Sequence, residues 1–283
     1  MTHIIIHTFE DTITLLPFLF LTYLAMEFLE HRTGDKAKRA IQRSGRFGPI
    51  IGGILGVVPQ CGFSAAASNL YAGRIITLGT LMAIYLSTSD EMLPILISES
   101  VPVSTILPIL LWKMGIGILA GVIIDLVLRK RRETKEMDIH HLCEHEHCHC
   151  ENKGVLRSAI SHSLQIFVFI FIITLLLNIV LHTVGEDALA GLIFNRPVIG
   201  VLLSGLVGLI PNCAASVLIT QLYLEGAMGF GAMMAGLLVG AGVGILVLCR
   251  VNEDKKECAR IIALLYVMGA AAGLFLEITG IGV

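Results

Sequence analysis

At least eight long apolar stretches follow one another along this chain, separated by short polar loops. In the first half they run over 12–29, 49–72, 75–97 and 104–128. Each is close to the roughly 20 residues that a helix needs to cross a bilayer. Hydrocarbon offers backbone groups no water, so only helices and closed barrels span it. Membrane strands would appear as alternating segments of about ten residues, and the sequence contains none. An α-helical membrane protein is therefore the expected class. Composition agrees: 55% of residues are hydrophobic and only 15% are charged, where soluble domains carry about 25% charged residues. The net charge of −2 provides no basic surface for nucleic acid. The N-terminus lacks a basic n-region, so the first apolar stretch is expected to be a transmembrane helix and not a removable signal peptide.

The chain repeats itself at a constant offset of 152 residues. Gly53, Gly56, Pro59, Cys61 and Ser64 return as Gly205, Gly208, Pro211, Cys213 and Ser216. Leu70-Tyr71 returns as Leu222-Tyr223, and Gly79, Met82 and Ala83 return as Gly231, Met234 and Ala235. Gly117, Ala120, Gly121 and Asp125 match Gly269, Ala272, Gly273 and Glu277. Small-residue matches are common in membrane helices, so the shared Pro-(Gln/Asn)-Cys-x-x-Ser carries most of the weight. The chain then divides into a first transmembrane repeat over 1–128, a linker over 129–156 and a second repeat over 157–283.

Loop charges orient these repeats, because short cytoplasmic loops collect Lys and Arg. The segment 30–46 carries Arg32, Lys36, Lys38, Arg39, Arg43 and Arg46, whereas its counterpart near 183–196 has only Arg196. The segment around Glu99 has no Lys or Arg, whereas its counterpart over 250–260 has Arg250, Lys255, Lys256 and Arg260. Matching loops thus face opposite sides, which makes the repeats inverted, the linker cytoplasmic and both termini external. Inversion needs an odd number of crossings per half, so one of the four stretches must be split. Proline removes a backbone donor and clashes with the preceding turn, which places the splits at Pro59 and Pro211. The expected architecture is an all-α polytopic protein of two inverted five-segment repeats, about ten helical segments, with broken helices at those prolines.

Interrupted helices at corresponding places in inverted halves point to a transporter's binding site. Here they offer Gln60, Ser64, Asn212 and Ser216 as oxygen donors, and Cys61 and Cys213 as sulfur donors for soft or borderline metals and trivalent metalloids. The bland alternative is a pair of proline kinks with small residues at helix contacts. A second group, Ser87-Thr88-Ser89-Asp90-Glu91, lies inside the third apolar stretch, where the other repeat has Val239-Gly240-Ala241-Gly242-Val243. Carboxylates inside a membrane stretch are costly and are functional candidates by default, so Asp90, and after it Glu91, are expected metal ligands. The third group is the linker's His140, His141, Cys143, His145, His147, Cys148, His149 and Cys150. Imidazole and thiolate at this density bind Zn²⁺, Cu or Ni²⁺, although the spacing fits no closed zinc finger. Three of the seven cysteines fall in this segment, an arrangement that argues for reduced thiols and against a disulfide framework. Lys113 either pairs with an acid or snorkels to the surface. Asp125 and Glu277 lie near helix ends and carry no assignment. No Walker loop, nucleophile elbow or zincin motif occurs, so neither an enzyme nor a cofactor is expected.

Taken together, Val58-Pro59-Gln60-Cys61-Gly62-Phe63-Ser64, Ser87-Thr88-Ser89-Asp90-Glu91 and the His/Cys linker resemble the bacterial manganese transporters. That family is also described as ten-helix heavy-metal exporters distantly related to arsenical permeases. The resemblance covers essentially the whole chain, and it implies ten helices, metal export and residence in the bacterial inner membrane. The expected function is secondary export of a divalent metal, Mn²⁺ first, by alternating access of the two halves. Asp90 would bind the metal with help from Gln60 and Asn212, protons would serve as counter-ions, and the assembly leaves room for a homodimer. A carrier of oxyanions or metalloids is the alternative, and an intramembrane enzyme or metal sensor stands behind it.

Overall fold

A computed structural model describes residues 47–58, 61–89, 92–128, 163–165, 167–176, 197–252 and 254–282, with single positions at 13, 16, 17, 20, 21, 24 and 160. Ten helices among them fall into two sets. The first holds α1 (Gly48–Gly56), α2 (Cys61–Ala72), α3 (Leu78–Ser87), α4 (Met92–Ser98) and α5 (Val103–Leu128). The second holds α6 (Pro197–Gly208), α7 (Cys213–Leu224), α8 (Phe230–Val239), α9 (Val243–Val251) and α10 (Lys255–Thr279). Both ends of α2 and α3 recur 152 residues later in α7 and α8, so the register read from the sequence is also that of the helices. An apolar helix, Ser163–Leu176, precedes the second set.

Helix length separates two kinds of element. At about 1.5 Å per residue, the 26 residues of α5 and the 25 of α10 cover a full bilayer. The 9 residues of α1 and the 12 of α2 reach only part of the way. Phe230–Val251, which joins α8 and α9, is a third segment long and apolar enough to cross among the described residues. It is nevertheless interrupted, since Gly242 adopts φ 53° and ψ −139°, a conformation open only to glycine.

Burial places the layers. Every residue of α8 is buried, and so are residues 79–83 and 85–87 of α3, which touches α8. These two form the centre. On α5 the buried residues Ile106, Ile109, Lys113, Gly117, Ala120, Gly121 and Ile124 form one stripe. Val103, Leu107, Leu111, Leu119, Ile123 and Leu126 form an exposed apolar stripe on the same helix. A helix apolar on both its inner and outer faces belongs in lipid.

Packing is the same in both halves: α3 lies on α1 and α5, and α8 lies on α6 and α10. The halves join by exchange, with α2 against α9 and α7 against α4. A smaller apolar cluster of Ala65, Ile170, Val243, Val247 and Val251 ties Ser163–Leu176 to the α2–α9 contact.

Asp125 and Glu277 acquire a role from this packing. Near the end of α5, Asp125 accepts hydrogen bonds from the Gly79 amide (3.1 Å) and the Thr77 hydroxyl (2.6 Å) at the start of α3. Near the end of α10, Glu277 accepts from the Gly231 amide (3.0 Å) at the start of α8. Each long helix thereby supplies an anion to the unsatisfied amides of the central helix beside it. Asp125→Ala and Glu277→Ala should each lower stability by about 1 kcal/mol, the usual size of a lost cap. Thermal unfolding in detergent would measure it, and unchanged midpoints would remove the capping role.

Candidate functional site

Each half contains two interruptions. The first lies between α1 and α2 and between α6 and α7; the second lies between α3 and α4 and between α8 and α9. The first arises because Pro211 has no amide to donate and its ring obstructs the turn before it. Around it the chain tightens, with Ile210 N–H donating to Val207 O at 3.0 Å and Asn212 N–H to Ile210 O at 2.7 Å. Asn212 is extended (φ −146°, ψ 145°) and its side-chain oxygen accepts the Ala214 amide at 3.3 Å, so it caps α7. In the second interruption, Thr88 turns out of the helix at φ −55° and ψ 130° after α3, and Gly240 at φ −68° and ψ 79° after α8.

Packing brings these interruptions together. Gly56, the last residue of α1, lies directly on the Ser87 hydroxyl at the end of α3. In the second half a Cβ on Gly240 would lie 3.8 Å from Gly208 O, at the end of α6. Between the halves, a Cβ on Gly244 would lie 2.7 Å from Ser64 Cβ, so the start of α2 abuts the start of α9. The junction is polar. The Ser68 hydroxyl lies 2.7 Å from Ser64 O, Gly244 O and Tyr85 Oη, and the Tyr85 hydroxyl is 3.1 Å from Gly244 O. Ser64, Ser68 and Tyr85 are all buried. At the corresponding place in the second half, the Thr220 hydroxyl donates to Ser216 O at 2.7 Å.

Of the residues expected from the sequence, Ser64 stands where α2 meets α9, Asn212 caps α7, and Ser216 lies in the first turn of α7. Cys61 and Cys213 are the first residues of α2 and α7, and their side chains lie outside the described residues. Gln60, Asp90, Glu91 and the linker ligands His140, His141, Cys143, His145, His147, Cys148, His149 and Cys150 also lie outside them. The approach to Asp90 is described, and Ser87, Thr88 and Ser89 are buried. Ser68 and Tyr85 escaped the sequence reading, although Ser68 comes one helical turn after Ser64 and so shares its face.

Lys113 is 1% exposed, so it does not snorkel, and its ammonium donates to Leu237 O at 2.8 Å. An ammonium in that position and two helix N-termini, those of α2 and α7, give the region positive as well as polar character.

An ion pair with its hydrogen bonds joins the two halves where α2 and α9 end. The Arg74 guanidinium reaches both oxygens of Glu257, at 3.1 and 3.0 Å, and the Tyr71 hydroxyl donates to Glu257 at 2.7 Å. Asn252 adds a hydrogen bond at 3.3 Å. Hydrogen bonding to Glu257 pushes the Arg74 guanidinium above its ordinary pKa, against the partial burial that would lower it. Arg74 holds φ at 58°, and its repeat counterpart Gly226 holds 71°. The positions corresponding to Arg74 and Glu257 in the other repeats are Gly226 and Thr105, so this ion pair has no symmetric partner there.

A family model described as "Putative, 10TM heavy-metal exporter" matches residues 1–187. No curated protein and no solved structure matches the chain.

Proposed function

The chain belongs to the family of ten-transmembrane heavy-metal exporters, and from that premise we propose that it is a secondary transporter exporting a divalent metal ion, Mn²⁺ first, by alternating access of two inverted repeats. The observation that carries this reading is the meeting of helix interruptions from both halves inside an otherwise apolar bundle. Broken helices in corresponding positions free backbone groups for a substrate where lipid supplies none. Asp90 is the metal ligand, with Glu91 beside it in sequence, and Gln60, Asn212, Ser64 and Ser216 add neutral oxygens. Cys61 and Cys213 are sulfur donors for softer ions.

The Arg74–Glu257 pair supports the inverted arrangement. It puts the turn after α2 and the turn after α9 at one end, and the second of these carries the basic cluster over 250–260. That end is cytoplasmic by the positive-inside rule. The pairs α1–α2 and α6–α7 then enter the bilayer from opposite sides, which fits the packing of α2 on α9 and of α7 on α4. Both termini are external, and the linker over 129–156 is cytoplasmic, where its histidines and cysteines bind metal. Protons are the counter-ions, the cell inner membrane is the location, and a homodimer fits this reading.

A second reading has its own support. The N-termini of α2 and α7 at the interruptions, with the buried Lys113, favour an oxyanion or metalloid substrate. Purified protein in proteoliposomes, challenged with Mn²⁺, Zn²⁺, Co²⁺, Cd²⁺, arsenite, antimonite and arsenate, separates the two. Saturable Mn²⁺ flux, competed by other divalent metals, is the expected result. Flux of an oxyanion or metalloid with no divalent-metal flux would replace the first reading by the second.

A further inference from the structure

Five of the seven cysteines fall in the groups described above: Cys61 and Cys213 at the interruptions, and Cys143, Cys148 and Cys150 in the linker. The other two, Cys249 and Cys258, sit inside helices. Cys249 is in the last turn of α9, and Cys258 is in the first turn of α10. At the same register in the first repeat stand Ile97 and Ile106. Apolar side chains hold those positions there, so packing by itself does not call for a pair of thiols here.

Folding brings the two thiols together. Both are free, and their side chains are hydrogen-bonded to each other. Cys258 Sγ also lies 3.7 Å from the carbonyl oxygen of Leu248, the neighbour of Cys249. Backbone contacts fix the surrounding frame. The Asn252 amide donates to Leu248 O at 3.0 Å, and the Cys258 amide donates to Asp254 O at 3.0 Å. Asp254 caps α10 by accepting the Lys256 and Glu257 amides at 2.9 and 3.1 Å. The Lys255 ammonium reaches back to Cys249 O and Asn252 O. The first turn of α10 is thereby tied to the last turn of α9, with a positive charge beside the thiols. Cys258 is buried, whereas Cys249 is partly exposed. The pair thus presents one reachable sulfur with a sheltered sulfur behind it.

We infer that Cys249 and Cys258 form a dithiol site that chelates one thiophilic ion, of the class of trivalent arsenic, where α9 meets α10. Thiolate is the soft donor that such ions select. Among the described residues no group of three or more His, Cys, Asp or Glu is placed to hold a metal. The pair therefore suits an ion held by two thiolates and not a closed tetrahedral Zn²⁺ site. Ligation needs neither oxidant nor reductant. With an oxide R–As=O, two As–S bonds form and the As=O bond breaks. The oxygen leaves as water with both thiol protons, and arsenic stays trivalent. Cys249, the more exposed thiol, bonds first. Cys258 then closes the chelate in an intramolecular step, which a high effective concentration favours. The site concerns binding and not passage, so it holds whichever ion the interrupted helices carry.

Phenylarsine oxide is the probe, and intact mass spectrometry of the full-length protein in detergent counts its adducts. The substitutions Cys61→Ser, Cys143→Ser, Cys148→Ser, Cys150→Ser and Cys213→Ser leave Cys249 and Cys258 as the remaining thiols. We expect one phenylarsenic adduct per chain that survives excess mercaptoethanol and is removed by dimercaptopropanol, because a dithiol competes with a chelate and a monothiol does not. Adding either Cys249→Ser or Cys258→Ser should abolish the retained adduct, since one sulfur cannot chelate. A retained adduct in either of these variants would overturn the inference. So would its absence from the folded protein that keeps both thiols. Should the five substitutions prevent folding, the wild-type background decides. Cys249→Ser and Cys258→Ser should then each retain one adduct fewer than the wild type, and the double variant should lose no more than either single one. No loss in the single variants, or a loss twice as large in the double variant, would overturn the inference. None of these readouts depends on Mn²⁺ flux, so failure of the proposed function and failure of this site are separately visible.

Discussion

Asp90→Asn should abolish Mn²⁺ transport while leaving the protein folded. The substitution keeps shape and removes charge, and a hard cation is held mainly by anionic oxygen. The three residues before Asp90 in the sequence, Ser87, Thr88 and Ser89, are buried. Losing one carboxylate ligand there should reduce flux on the order of a hundredfold, about 2.8 kcal/mol. The position corresponding to Asp90 in the second repeat is Gly242, so no symmetric carboxylate takes over its task. Vesicle flux with an unfolding control measures the effect. Normal transport by Asp90→Asn would end the carboxylate hypothesis and leave the oxyanion reading, which depends on helix N-termini and Lys113. Cys61→Ser and Cys213→Ser divide the substrates further. They should be tolerated for Mn²⁺, but should be severe for trivalent arsenic or a soft metal, which need sulfur.

The second large effect is on the fold. Gly79→Ala and Gly231→Ala should each destabilise by about 1–3 kcal/mol, the range for overpacking a close contact. A Cβ on Gly231 would lie 2.5 Å from Gly273 O and 2.6 Å from Glu277 Cβ, and one on Gly79 would run into Gly121 O. Backbone atoms cannot swing aside as a long side chain can, so the added methyl must part the central helix from the long helix beside it. Close backbone approach is how membrane helices associate, because lipid is as apolar as their side chains. The same shift would pull the amides of Gly79 and Gly231 from Asp125 and Glu277. Gly115→Ala is the control: nothing lies within 4 Å of its Cβ position, and alanine favours a helix by about 1 kcal/mol over glycine. Thermal unfolding in detergent should rank the variants in that order. Equal stability for Gly79→Ala and Gly115→Ala would show that the α3–α5 contact yields more readily than its geometry implies.

The apolar stretches by themselves leave a helical membrane protein as the fold class, because hydrocarbon admits no other backbone arrangement that the pattern fits. The interruption around Pro211 is legible in the sequence because proline lacks a donor whatever its neighbours are. The 152-residue register is legible because the Pro-(Gln/Asn)-Cys-x-x-Ser pair survives where matches of small residues could be chance.

Tertiary structure decided what hydropathy is blind to. Lipid and protein interior are equally apolar, so the sequence does not separate α8, buried on every side, from α10, which exposes Val267, Phe275 and Ile278. Lys113 reads equally well as a snorkelling or a paired lysine, and its burial depends on which face of α5 meets α3 and α8. Asp125 and Glu277 looked like helix-end acids, yet they accept the amides of Gly79 and Gly231, 46 residues earlier in the chain, at the starts of α3 and α8. Ser68 and Tyr85 become a polar junction only because α2 crosses to α9 in the other half. Such contacts depend on how apolar surfaces are apportioned between lipid and neighbouring helices, and in a bilayer that is settled by shape and close packing, which no single helix specifies by itself.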